Sequence, residues 1–179
     1  GGYQVYKAET PGPMKDARFT PRISETARGL WSVYFGFSVA CFLAYRWAGM
    51  GWADAFMHMC TTMGLGGFSS HDASFGHWDS PLIEAVAVVF MTLAGISFMR
   101  YFMVIRSRSL RPVLGDREIR TYLLVLAGSI ALLTLLLMAR GVYGDFPSAL
   151  RASAFHVVSV ATTTGYAATD YAQWPAFAP

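Results

Sequence analysis

Two stretches of the chain, His58 to Asp72 and His156 to Asp170, align without a gap at a constant offset of 98 residues. His58 pairs with His156, Gly67 with Gly165, Phe68 with Tyr166 and Asp72 with Asp170. The middle of each stretch is uncharged and rich in Thr and Gly: Thr62, Met63, Gly64, Leu65, Gly66 and Gly67 in the first, Thr162, Thr163, Thr164 and Gly165 in the second. Residues of these types do no covalent chemistry. Glycine lets the backbone turn with positive φ, and Thr adds a hydroxyl dipole without net charge. What they offer is a set of backbone carbonyls and hydroxyls, and such oxygens repeated around an axis can replace the water around a bare cation. At membrane depth, exposed carbonyls are tolerated only where protein buries them or where they line a water-filled path.

Something must carry these turns to that depth. The chain is 54% hydrophobic with a mean hydropathy of +0.38, which points to an all-α integral membrane protein rather than a soluble domain. A bilayer core about 30 Å thick takes roughly 20 helical residues. No charge lies between Arg120 and Arg140 or from Gly29 to Tyr45, and Pro81 to Ile105 holds only Glu84 near one end and Arg100 near the other. Full spans are therefore expected at about 29–47, 81–105 and 119–139. Trp52 to Thr62 and Pro147 to Thr162 are shorter and suit re-entrant half-helices. A half-helix ending at the membrane centre aims the negative end of its dipole at whatever lies there, which favours a cation.

The positive residues order these elements. Lys7, Lys15, Arg18, Arg22 and Arg28 precede the first span, and Arg106, Arg108, Arg111, Arg117 and Arg120 separate the second from the third. Both segments are cytoplasmic by the positive-inside rule, while residues 69–80, without Lys or Arg, belong outside. A full crossing by residues 52–68 would reverse that assignment. The expected organisation is a cytoplasmic linker (1–28), a span, pore-loop, span unit (29–106), a cytoplasmic loop (107–118), and the span and pore loop of a further unit (119–179) that stops before its second span. The chain, which opens Gly-Gly-Tyr without an initiator Met, reads as an internal piece of a longer protein. Its basic residues flank spans without interleaved aromatics, so nucleic acid is not an expected partner; the lipid bilayer is. Cys41 and Cys60 sit in apolar sequence and give no disulfide or metal spacing.

Thr163-Thr164-Gly165-Tyr166 resembles the Thr-Val-Gly-Tyr-Gly filter of potassium channels. In the first stretch the constant offset places Leu65-Gly66-Gly67-Phe68 on that motif, whereas matching by composition would place Thr62 to Gly66 there. The offset is preferred because it also pairs the flanking His and Asp. Together, Gly64 to Ser74 and Ala161 to Tyr166, with Ala8 to Pro13 and Pro21 to Thr26 upstream, resemble the TrkH/TrkG family of potassium-uptake membrane subunits over essentially the whole chain. His71-Asp72 fits that branch better than the related KtrB branch. The resemblance implies four span, half-helix, span units around one pore, of which this chain would hold the second and most of the third. It further implies inward passage of K+, with Na+ in some members, in a bacterial inner membrane. It implies a homodimer that docks a ring of TrkA-type cytoplasmic nucleotide-binding subunits. K+ is then cargo, and neither enzyme activity nor an organic cofactor is implied.

On this reading Leu65, Gly66, Gly67, Thr163, Thr164 and Gly165 present the K+-binding carbonyls. Thr62, Met63, Gly64, Phe68, Thr162, Tyr166, His58 and His156 support them. One of Thr162, Thr163 and Thr164 is expected to bond its own helix. His58 and His156 read as buried braces rather than metal ligands, because no acidic or Cys partner recurs at ligand spacing. Asp72 and Asp170 either concentrate cations at the mouth or brace the loops, and Arg100 reads as snorkelling to the cytoplasmic interface rather than gating. Two rival classes stand beside this one: a membrane metallo or redox subunit using His58, His71, His77, His156 and Cys60, and a non-conducting assembly subunit in which the repeats only pack.

Overall fold

The computed structural model describes residues 23–169 and Trp174. Among the described residues there are only helices and connecting turns, and no strand. The order is α1 (Ile23–Trp47), α2 (Trp52–Met63), a short 3-10 turn (Ser74–His77), α3 (Pro81–Ala94), α4 (Phe98–Ser107), α5 (Arg111–Leu114), α6 (Arg117–Ala139) and α7 (Phe146–Ala161).

Two of these helices are long enough to cross a bilayer. The 25 residues of α1 and the 23 of α6 extend roughly 37 and 34 Å at the helical rise. Only 17% of the most apolar window of either helix is buried inside the molecule. Trp31 and Phe35 on α1 and Leu124 and Leu132 on α6 all face outward, apolar surface that lipid, not water, accommodates. The protein is an all-α membrane protein. α1 already runs from Ile23, so residues 23–28, expected in the linker, are helix; residues 1–22 lie outside the described residues.

The expected continuous span over 81–105 is instead two helices, with α3 and α4 meeting at 82°. The cause is local. Gly95 caps α3 so tightly that a Cβ there would fall 2.5 Å from the Tyr122 hydroxyl, and Ser97 takes extended backbone (φ −54, ψ 122) before α4 begins. Carbonyls that the break releases find hydroxyl donors: Tyr101 Oη donates to the Leu93 carbonyl at 2.9 Å and Tyr122 Oη to that of Thr92 at 3.3 Å. Apolar composition does not distinguish such an elbow from a straight helix. Arg100 therefore lies early in α4, where its guanidinium bridges Asp116 at 2.5 Å and Glu118 at 3.8 Å. It ties the elbow to the start of α6 instead of reaching to the interface alone.

The helix starts follow from capping residues in the sequence. The Ser80 hydroxyl accepts the Ile83 N–H ahead of Pro81. Asp116 accepts the N–H groups of Glu118 and Ile119. Asp145 accepts that of Ser148 at 2.9 Å, and this bond holds its carboxyl below the ordinary value. Each cap satisfies donors that the first helical turn leaves unpaired.

The core gathers side chains from α1, α2, α3, α6 and α7. Phe75, fully buried, drops from the 3-10 turn into it, with ring centroids 4.6 Å from Tyr166, 5.2 Å from Phe155, 5.3 Å from His58 and 6.1 Å from Tyr45. Its backbone N–H donates to the Ala167 carbonyl at 2.9 Å. The loop after the first Thr/Gly turn is thereby fastened to the segment after the second.

Candidate ion-binding turns

Both short helices end at positions 98 apart, Met63 and Ala161, and the chain behaves alike beyond each. Gly64 (φ −85, ψ −2) and Thr162 (φ −88, ψ 2) cap the helices in the right-handed region. Leu65 (φ 51) and Thr163 (φ 61) then turn left-handed, as do Gly67 (φ 67) and Gly165 (φ 85). The backbone repeat thus follows the constant offset, whereas the composition register would pair right-handed Gly64 with left-handed Gly165.

The hydrogen bonds repeat at the same spacing. Gly66 N–H donates to Thr61 O at 2.8 Å and Thr164 N–H to Ser159 O at 2.9 Å; Leu65 N–H reaches Thr62 O at 3.2 Å and Thr163 N–H reaches Val160 O at 3.0 Å. Thr61 Oγ1 donates to the Phe68 carbonyl at 2.9 Å, and Ser159 Oγ to that of Tyr166 at 2.8 Å. His58 Nδ1 and His156 Nδ1 lie 2.8 and 2.9 Å from the carbonyls of Asp54 and Ala152, one helical turn back. Thr61 and Ser159 are further functional candidates beyond those expected from sequence, and their hydroxyls at the repeat offset are the sequence signal for them.

These bonds spend most of the N–H groups of the turns on the helix ends, and in the second turn Gly165 N–H also reaches Ser159 O at 3.2 Å. They leave the carbonyls of Leu65, Gly66, Gly67, Thr163, Thr164 and Gly165 without a donor among the described residues. Thr164 is buried, while Gly66, Thr163 and Gly165 are exposed, so the turns present carbonyls that are open to an electropositive partner or water. Met63 and Gly64 precede the first group and Thr162 the second. Thr162 is the threonine that bonds its own helix, its hydroxyl donating to Val158 O at 2.7 Å while lying 2.7 Å from that of Thr164.

The turns touch. A Cβ built on Gly67 would meet the Thr164 carbonyl oxygen at 1.8 Å, whereas one built on Gly165 would meet nothing within 4 Å. Tyr166 passes behind the first turn. Its hydroxyl lies 2.5 Å from Thr61 Oγ1 and 3.1 Å from Thr62 Oγ1, and Thr62 Oγ1 is 2.8 Å from Tyr45 Oη. The counterpart Phe68 is 74% exposed against 2% for Tyr166.

The flanking residues sort differently from the turns. His58 is buried, with Nε2 3.0 Å from Ser69 Oγ. Asp72 is exposed on the loop, and Asp170 lies outside the described residues. His71 and His77 stack with centroids 3.6 Å apart on the loop, and Cys60 is exposed. Between the repeats stands an ion-pair cluster that the sequence did not reveal. Arg151 of α7 grips buried Glu84 of α3 with Nε and Nη2 both at 2.8 Å, and its Nη2 also reaches Asp79 at 2.7 Å.

With this geometry in view, the comparisons are decisive for kinship. Residues 1–178 match the profile of the family described as TrkH: Cation transport protein. The chain belongs to this family. It is 42% identical over 179 residues to the Trk system potassium uptake protein TrkH of Halomonas elongata, covering 100% of this chain and 37% of that relative. It is 38% identical over 175 residues to the Trk system potassium uptake protein TrkG of Escherichia coli, covering 98% of this chain and 36% of that one. The crystal structure of the potassium transporter TrkH from Vibrio parahaemolyticus superposes with a TM-score of 0.87 at 33% identity, over 99% of this chain and 38% of that structure. The chain thus spans little more than a third of the length of the relatives it matches, and the family's named members are transport proteins rather than enzymes.

Proposed function

We propose that the two turns are parts of the selectivity filter of a K+ uptake protein. The carbonyls of Leu65, Gly66, Gly67, Thr163, Thr164 and Gly165 would replace water around K+. What carries the reading is that these six carbonyls have no donor among the described residues while the two turns repeat the same signs of φ and most of the same backbone hydrogen bonds. The short helices supply the negative ends of their dipoles behind them. Thr61, Thr62, Ser159, Tyr166, His58 and His156 brace the turns, and Asp72 and Asp170 stand outside them as a negative mouth. Selectivity then rests on how firmly the carbonyls keep their spacing, and the Tyr166 hydroxyl network is what stiffens the first turn.

In this reading α1 to α4 form one span, pore-loop, span unit, and α6 with α7 begin the next. The segment holding Arg106 to Arg120 faces the cytoplasm of a bacterial inner membrane. The whole protein would work as a homodimer with a TrkA-type nucleotide-binding ring on that face, in keeping with relatives named as parts of a Trk system. The metallo or redox reading has less support, because both nitrogens of His58 already have partners in Asp54 and Ser69.

The test is uptake of radiolabelled Rb+ by potassium-uptake-deficient cells carrying the full-length parent protein, wild type beside Gly165→Ser at matched membrane expression. A changed affinity or K+/Na+ preference in the variant supports the filter. Identical uptake and preference would sink it and favour the assembly reading.

A further inference from the structure

The elbow between α3 and α4 opens a groove of about 770 Å3 on the flank of the molecule. Its walls are Leu30, Trp31 and Tyr34 of α1, the elbow residues 94–99, and Glu118 at the start of α6. Most of this lining is apolar. Trp31, its largest apolar group, is nonetheless 72% exposed and stands one helical turn from Arg28. An indole beside a cation at the end of an apolar run is the arrangement of a membrane–water interface.

Glu118 is the charged residue of the described lining, and arginines outnumber carboxylates in the segments that flank the lining in sequence. Arg28, Arg106, Arg108, Arg117 and Arg120 are exposed, and none of them forms an ion pair among the described residues. Asp116 and Glu118, the carboxylates nearest the elbow, are engaged by Arg100; Glu25 on α1 is a further carboxylate at this end. Beyond the elbow, exposed Ile105 and Leu110 alternate with Arg106 and Arg108. Guanidinium groups bind phosphate oxygens in pairs of parallel hydrogen bonds, and apolar side chains interspersed with cations suit the headgroup–acyl boundary.

We propose that this groove seats an acyl chain of an anionic phospholipid, with its phosphate held by Arg28 and Arg117. An apolar trough takes methylenes; a helix, which satisfies its own backbone, would fit it too but would not draw on the cations beside it. A zwitterionic lipid would fit the trough but leave the excess of positive charge unanswered. The inference uses the orientation proposed above, which puts this end in the cytoplasmic leaflet, and is independent of ion conduction.

The experiment reconstitutes the full-length parent protein, wild type and Trp31→Phe, in vesicles of phosphatidylcholine and phosphatidylglycerol. Bromine is placed on the acyl chains of one lipid or the other at equal mole fraction. The fluorescence lost in Trp31→Phe isolates the Trp31 signal. Brominated phosphatidylglycerol is expected to quench that signal severalfold more than brominated phosphatidylcholine, and an Arg28→Gln, Arg117→Gln double variant is expected to bring the two to parity. Equal quenching of the wild type by both lipids would reduce the site to ordinary lipid contact and overturn the proposal. Absence of quenching by either would show that protein covers the groove and would overturn it too. The wild-type comparison decides even where the double variant fails to fold. No ion gradient is imposed, so a negative result here leaves the K+ reading to its own test.

Discussion

Gly67 lies against Thr164 so closely that a Cβ on the glycine would come to 1.8 Å from the threonine carbonyl oxygen. The neighbour is backbone and cannot swing aside, and Gly67 also has positive φ. Gly67→Ala is therefore expected to abolish Rb+ uptake and lower the yield of folded protein. Gly165→Ala meets open space in this chain and bears only the left-handed strain of about 1–2 kcal/mol. It is expected to fold with altered selectivity. Uptake and size-exclusion profiles of the two variants, measured side by side, check the contrast.

Thr61 and Ser159 do the same task in the two repeats, but Thr61 also supports the Tyr166 hydroxyl. Ser159→Ala should cost about one ordinary hydrogen bond, ~1 kcal/mol. Thr61→Val should cost more and reduce discrimination of K+ from Na+, and Tyr166→Phe should copy that loss with little effect on expression. Competition of Na+ against Rb+ uptake reads the difference. Equal selectivity in Thr61→Val and wild type would remove the network from the mechanism.

Arg151 and Glu84 clamp α7 to α3 through two parallel hydrogen bonds, with Glu84 buried. Breaking one side of such a pair leaves a charge without its partner, at a cost of about 3–5 kcal/mol. Arg151→Gln is expected to lower the melting temperature in detergent markedly. The double change Arg151→Gln, Glu84→Gln should recover much of the loss. A double variant as unstable as the single one would show that the clamp acts by shape rather than by charge.

Gly95 permits the elbow because the Tyr122 hydroxyl occupies the place of a Cβ. Gly95→Ala should destabilise the fold, and adding Tyr122→Phe, which removes the nearest obstructing atom, should restore part of it. Thermal unfolding of the two variants measures the rescue. Failure to rescue would locate the constraint in the backbone of residue 95 itself.

The turns are legible in the sequence because Gly67 and Gly165, which take positive φ, stand at one offset from the ends of two matching half-helices. The long helices α1 and α6 are legible for a related reason, since an apolar run bounded by arginines has one simple reading. The elbow is not. Gly95, Ile96 and Ser97 are each tolerated in a membrane helix, and only the approach of Tyr122 and the backbone of Ser97 reveal the bend. The Arg151–Glu84 clamp and the buried Phe75 join residues far apart in sequence. A local pattern carries no trace of such partners.

Tyr166 is buried against Thr61 and Thr62, while Phe68, its counterpart, stands bare. One repeat supplies the tooth and the other the notch. Contacts of this head-to-tail kind, propagated by a fixed rotation, close into rings or run on as spirals, and they do not pair two copies face to face. The order of the repeats along the chain thus sets a sense of circulation. A protein with the two stretches exchanged would keep every residue and lose the fit, because the tooth would face away from its notch.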